Sequence, residues 1–215
     1  MYLIFTEKLE VIGMIVIIDY GMGNLRSIQK ALEYLSIPSV ISVEAQKITS
    51  SSGIILPGVG AFPDAMKNME KRGLNKLIKA AVSEGKPILG ICLGMQLLFE
   101  DSEEVRNCSG IGLLKGKIKK LESHVKIPHM GWNSLLFEKD SALLKGVKEG
   151  NYVYFVHSYY AIPGEEDITN AFSIYGKKIP AVVSKGNIYG TQFHPEKSGE
   201  DGLKVLKNFG ELVNQ

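Results

Sequence analysis

Between Ile15 and Ile91, four short aliphatic runs alternate with stretches of helical period, and this alternation constrains the fold of the 215-residue chain more than any other feature. Residues 15–19 are apolar in all but the last position, as a strand buried on both faces requires. Leu25, Ile28, Leu32 and Leu35 then recur at helical spacing, with Asn24 in the N-cap position and Pro38 beyond the end. Residues 39–43 and 53–56 read as a second and a third strand, and 62–84 as helix interrupted near Gly73. Residues 87–91 form a fourth strand, and 95–100 open another helix. Strand and helix in strict alternation predict a parallel sheet covered on both faces by right-handed crossovers.

Beyond Gly110 the pattern changes. Short strands at 116–121, 134–137, 152–157, 171–175, 181–184 and 188–193 follow one another, several separated by Gly or Pro turns. They predict antiparallel additions to the same sheet. Residues 202–213 close the chain as an amphipathic helix with Leu203, Leu206 and Phe209 on one side. There is no repeat, linker or low-complexity stretch, so the expectation is one α/β domain over 14–215. It is preceded by an extension, 1–13, in which Glu7, Lys8 and Glu10 argue against a signal peptide.

Composition serves mainly to exclude. With 25 basic and 23 acidic residues, the net charge of +2 gives no argument for nucleic acid or an anionic membrane as partner. No apolar run reaches the length of a membrane span. Two cysteines rule out a disulfide scaffold and fit a reducing, cytoplasmic setting.

The sharpest chemical feature is Gly90-Ile91-Cys92-Leu93-Gly94. Small residues two before and two after a nucleophile let a strand turn abruptly into a helix, holding the nucleophile on a strained turn above the sheet. The positive end of the following helix favours negative charge at that point, and the Leu93 N–H would face an oxyanion formed beside the sulfur. A cysteine ending a strand is more often only a small buried hydrophobe. The flanking glycines argue otherwise here.

Such a nucleophile needs a proton carrier, and His194-Pro195-Glu196 supplies one. If that segment stays extended, Glu196 points the same way as His194 and can hold one ring nitrogen while the other faces the sulfur. Pro57-Gly58-Val59-Gly60 follows the third strand at a carboxyl end, where open α/β sheets place ligands. Its glycines permit the Val59 N–H to serve as a second oxyanion donor, and to switch away from that role by a peptide flip. Gln96, four residues after Cys92, lies on the same helical face, within reach of an amide or amino-acid substrate.

Other signals fail. Arg26 stands where a dinucleotide fingerprint starting at Gly21 needs Gly, and no phosphate-binding loop exists. His124, His129 and His157 lack metal-ligand spacing and fit core or interface roles better. Cys108 reads as a free thiol in a polar loop, and Lys115, Lys117, Lys119 and Lys120 as a solvated strand edge.

The three motifs around Cys92, His194 and Val59, separated and in this order, resemble the class I (triad) glutamine amidotransferases over residues 14–215. The segments 19–24, 128–133, 155–159 and 194–198 are similar to the glutaminase subunits of imidazole glycerol phosphate synthases. The resemblance implies a flavodoxin-like fold, hydrolysis of L-glutamine by Cys92, His194 and Glu196, and no metal or cofactor. It implies glutamine held by Gln96, Ser158 and Tyr159. It also implies a heterodimer with a (βα)8-barrel cyclase, reached through Met130, Trp132 and Asn133, with Tyr154 and Lys197 at the ammonia exit. A glutaminase for anthranilate or aminodeoxychorismate synthase is the close alternative, against which the run from Pro128 to Asn133 argues. A non-catalytic glutamine-binding regulator should lack a triad member, and none is missing. A cysteine peptidase on a related scaffold is a third reading, separable by assay against peptides.

Overall fold

The computed structural model describes residues 13–105, 108–122 and 124–214, so nearly all of the extension expected at 1–13 lies outside the described residues. The four aliphatic runs become β1 (Ile15–Ile18), β2 (Ser39–Ser42), β3 (Gly53–Leu56) and β4 (Ile88–Ile91), parallel in the order β2-β1-β3-β4. Successive side chains of a strand point to opposite faces, so each run feeds two cores. Val16, Ile18, Ile54, Leu56 and Ile88 pack on one face, and Ile15, Ile17, Ile55, Leu89 and Ile91 on the other. Helix α1 (Leu25–Tyr34) covers the second face through Ile28, Ala31 and Leu32. Helices α2 (Ala45–Ser50), α3 (Phe62–Lys71) and α4 (Leu74–Ser83) cover the first through Ile48, Phe62, Met69, Leu74 and Ile78.

Local detail departs from expectation at several points. Asn24 occupies the N-cap position of α1, but its side chain makes no capping bond. Gly73, at φ 67°, breaks the 62–84 stretch into two helices as its sequence suggests. The six-residue α2 is not foreseen, being too short for its period to register. The helix after Cys92, α5 (Leu93–Leu97), starts earlier than expected and ends at Leu97, because β5 (Phe99–Ser102) begins at once.

The second half contains β6 (Cys108–Ser109), β7 (Leu114–Lys120), β8 (His129–Ser134), β9 (Leu136–Phe137), β10 (Tyr152–His157) and β11 (Tyr159–Pro163). After these come β12 (Thr169–Ile174), β13 (Lys178–Lys185), β14 (Ile188–Thr191) and the closing helix α6 (Gly199–Val213). These strands do not all join one sheet, which corrects the sequence expectation. β14 pairs with β4 in parallel, and β13, β12 and β9 extend the central sheet antiparallel to eight strands. β11-β7-β5-β6 make a separate sheet, and β8 with β10 a two-stranded ribbon. Alternation in a sequence says which residues face inward, whereas the choice of neighbour is made by long-range packing.

The lysine run is corrected for the same reason. β7 lies between β11 and β5, so Lys115, Lys117, Lys119 and Lys120 sit on an interior strand with one solvated face. Glu103 pairs with Lys117 and Lys119 at 3.4 and 3.9 Å. Cys108 lies in β6 rather than a loop; burial, then the charges of Glu104 and Glu70, raise the pKa of its free thiol.

Glycine lets α5 descend onto the sheet. A Cβ on Gly90 would lie 2.7 Å from Gly94 O and from Met95 N, and one on Gly94 would overlap the Leu56 carbonyl. Gly190, the register partner of Gly90, leaves room for the Met95 side chain. The Gly94→Ala variant should therefore lose about 3 kcal/mol of stability, since the obstacle is the backbone of a central strand. Urea unfolding of the purified chain measures this; a loss below about 0.5 kcal/mol, an ordinary surface effect, would contradict the packing described.

Candidate active site

Cys92 continues the central sheet by one residue: its N–H donates to the Thr191 carbonyl at 2.7 Å. It then turns the chain at φ 55°, ψ −111°, a conformation that non-glycine residues rarely adopt. Such strain persists only where the surroundings over-determine it. Here the sheet bond on one side and the tight Gly90–Gly94 approach on the other supply the constraint. The buried sulfur sits 3.7 Å from the Val156 carbonyl and 3.8 Å from the amide nitrogen of Gln192.

His194 and Glu196 do meet, by a route other than the expected one. Only His194 is extended; Pro195–Lys197 form a 3-10 turn, which swings the Glu196 carboxylate back to His194 Nδ1 at 2.9 Å. An extended proline-containing segment and a tight turn share the same residue pattern, so the sequence could not separate them. Both side chains are buried. The β10 backbone clamps this turn: His194 N–H donates to the Tyr154 carbonyl at 3.0 Å. Tyr154 N–H donates to Ser198 Oγ at 2.9 Å, and Ser198 Oγ donates to the His194 carbonyl at 2.6 Å. Ser198 thus ties His194 to β10, a contact the sequence did not reveal.

Burial opposes a charge on His194. Negative charge at Cys92, with the hydrogen bond and charge of Glu196, outweighs it and raises the His194 pKa to about 10. Among the described residues, neither His194 Nε2 nor Glu196 Oε2 makes a hydrogen bond.

A cavity of about 350 Å³ opens beside the sulfur. Val59, Gly60, Leu93, Gln96, Ser158 and Tyr159 line it together with Cys92, so the sequence-selected turn, oxyanion and substrate residues converge. Gly58 does not line it: a Cβ there would fall 2.5 Å from the Tyr20 hydroxyl and 2.9 Å from Gly94 N. That hydroxyl donates to the Pro57 carbonyl at 2.8 Å and fixes the start of the turn. Glu104, Pro128, Val156 and His157 also line the cavity without having been singled out for it. Glu104 accepts from the Phe62 N–H at 2.7 Å, so an acidic residue in an undistinguished stretch caps α3 and sets a carboxylate in the wall.

The family model for glutamine amidotransferase class-I matches residues 16–212. The chain belongs to that family. Imidazole glycerol phosphate synthase subunit HisH of Caldanaerobacter subterraneus subsp. tengcongensis is 55% identical over 93% of this amidotransferase and 98% of its own length. The subunit of the same name from Bacillus cereus strain G9842 is 54% identical, over 93% and 95%. Among solved structures, a crystal structure of a glutamine amidotransferase matches with TM-score 0.75 at 18% identity, covering 94% of this chain and 99% of that one. PurLQS from Thermotoga maritima matches with TM-score 0.74 at 23% identity, covering 93% and 98%. These two likenesses establish the fold.

The interface candidates of this amidotransferase gather on the β8–β10 ribbon. Met130 and Trp132 are more than half exposed, and so is Tyr152. Trp132 and Tyr154 are register partners with ring centroids 6.0 Å apart, and the Lys197 ammonium lies 5.9 Å from the Tyr154 ring. Asn133 differs: its side chain turns away, donating to the Ile174 carbonyl at 3.0 Å. No helix among the described residues is long and apolar enough to cross a membrane.

The raised His194 pKa carries a prediction. In Cys92→Ser, the contribution of the sulfur disappears while burial remains, so the His194 titration should move down. The imidazole Cε1–H resonance followed against pH measures it. A titration unchanged from the parent would show that the sulfur does not act on this ring.

Proposed function

We propose that this amidotransferase is the glutaminase subunit of an imidazole glycerol phosphate synthase. The observation that carries the reading is the likeness to the HisH subunits, about 55% identical and matched over nearly their whole length. The substrate is L-glutamine. The partner is a (βα)8-barrel cyclase in a cytoplasmic heterodimer, which uses the ammonia to form imidazole glycerol phosphate and an aminoimidazole carboxamide ribotide in histidine biosynthesis.

The chemistry follows from the site. The Cys92 sulfur attacks the side-chain carboxamide carbon, and the carbonyl electrons move onto oxygen. The N–H groups of Leu93 and Val59 stabilise that oxyanion where its charge develops. His194, held as imidazolium by Glu196 and the sulfur, protonates the amide nitrogen; the C–N bond breaks, ammonia leaves and a glutamyl thioester remains. His194, now neutral, takes a proton from water, which attacks the thioester and expels the sulfur with glutamate. Gln96, Ser158 and Tyr159 hold the amino-acid end, and the Glu104 carboxylate is placed to meet an ammonium. A cavity at the small end of the range for ligand sites suits one free amino acid better than a peptide.

The exposed Met130–Trp132 strip, with Tyr154 and Lys197 beside it, supports docking of the cyclase over the ribbon that clamps His194. Ammonia then leaves beside Tyr154. A chain on its own should be a poor glutaminase, with the Val59 peptide turned so that one oxyanion donor is missing, a deficit of about 10²–10³ in rate. Partner binding favours the competent form by differential affinity.

In the reconstituted heterodimer, Cys92→Ser should abolish glutamine-dependent synthesis while leaving synthesis from added ammonium salts intact. Trp132→Ala should weaken association and lower stimulated turnover, with the isolated fold unchanged. Retained glutamine-dependent synthesis by Cys92→Ser, or full glutaminase activity of the lone chain, unaffected by cyclase, would refute the catalytic and the coupling parts respectively.

A further inference from the structure

On the inner face of the ribbon, His129 and His157 are register partners, both buried and neither used in the chemistry above. The His129 ring is stacked between Phe155 and Tyr175, with centroids 4.7 and 3.9 Å away, so its plane is held. His157 lines the substrate cavity.

The hydrogen bonds joining them admit one polarity. The Tyr159 carbonyl can only accept, so His157 donates to it from Nδ1 at 2.8 Å. Nε2 of His157 then carries the lone pair and accepts from His129 Nδ1 at 2.9 Å. His129 Nε2 accepts in turn from the Asn133 amide nitrogen at 3.3 Å. The far end imposes the same direction. Asn133 Oδ1 accepts from the Ser134 N–H at 2.8 Å, so its nitrogen is the end that faces Ile174 and His129.

Both rings are therefore neutral Nδ1–H tautomers. A proton added to either would set two donors against each other. Burial accordingly lowers the His129 pKa to about 4. For His157 burial again leads, with the charges of His129 and His194 adding to it and the bond to Tyr159 opposing, and the pKa falls to about 3.

The chain ends at the substrate site. The Tyr159 carbonyl also accepts from Gln96 Nε2 at 2.8 Å, and the second amide hydrogen of Gln96 goes to Gln192 Oε1 at 3.0 Å. Gln192 in turn reaches the sulfur with its own amide at 3.8 Å. With both hydrogens engaged, Gln96 is left with Oε1, an acceptor, to offer the substrate. We infer that His129 and His157 are positioning residues, which fix the Tyr159 carbonyl and the amide orientation of Gln96 and so tie glutamine affinity to the geometry of the docking ribbon. The inference rests on the proposed function for the identity of the substrate.

Two measurements test it on the heterodimer with cyclase. Long-range ¹H–¹⁵N spectra of the imidazoles at pH 7 should show both histidines neutral with the proton on Nδ1. In steady state, His157→Leu and His129→Leu should raise the glutamine KM about tenfold, with kcat lowered no more than about threefold, because binding contacts rather than the reacting groups are disturbed. His129→Asn, which keeps a donor at the δ position, should recover most of the affinity. An Nε2–H tautomer or an imidazolium at either position overturns the inference, whether or not a variant folds. So does an unchanged KM in a folded His157→Leu complex. If the unsubstituted complex turns over no glutamine, the proposed function falls, and this inference with it.

Discussion

The close approach of the α5 backbone to the central sheet is the constraint on which the rest of this structure depends. Gly90, Gly94 and Gly190 carry no Cβ, so a helix can start directly on top of strand ends that would otherwise hold it off. The turn that results places Cys92 at φ 55° while its N–H still bonds to the neighbouring strand. Cys92 is thus held by the central sheet, and the cost of its conformation is borne by the surrounding packing.

The proton transfer proposed for His194 rests on a different element. The clamp of Tyr154, Ser198 and His194 hangs the His194 ring from one edge of the β8–β10 ribbon. The ribbon's outward face carries the exposed aromatic strip, and its inward face the paired histidines. A two-stranded ribbon outside the main sheet deforms more easily than the sheet itself, because fewer strands and contacts hold it. One element therefore touches the proposed docking surface, His194 and the cavity wall, while Cys92 stays fixed on the sheet.

The departures from the sequence reading share a cause. The candidates Cys92, His194 and Glu196 stood out because their motifs are local in sequence, but the 3-10 turn that brings Glu196 to His194 did not, since proline allows both an extended and a turned segment. The lysine run looked like an edge because a solvated face gives the same alternation at an edge and in an interior strand. Glu104 and Gln192 entered the site unannounced: acidic and amide side chains are common at surfaces, and only their position against Phe62 and Cys92 distinguishes them.

What the sequence alone determined was everything written in short-range order: the parallel first sheet, the break at Gly73, the strained cysteine turn, the presence of a histidine and carboxylate, and the family. These depend on periodicity and on steric needs of neighbouring residues. Tertiary structure decided which strands pair across the second half, which face of the ribbon meets solvent, and the direction of the hydrogen-bond chain from Asn133 to the Tyr159 carbonyl. Those outcomes turn on groups from distant segments meeting at distances near 3 Å, where donor must face acceptor and a buried group without a partner is costly.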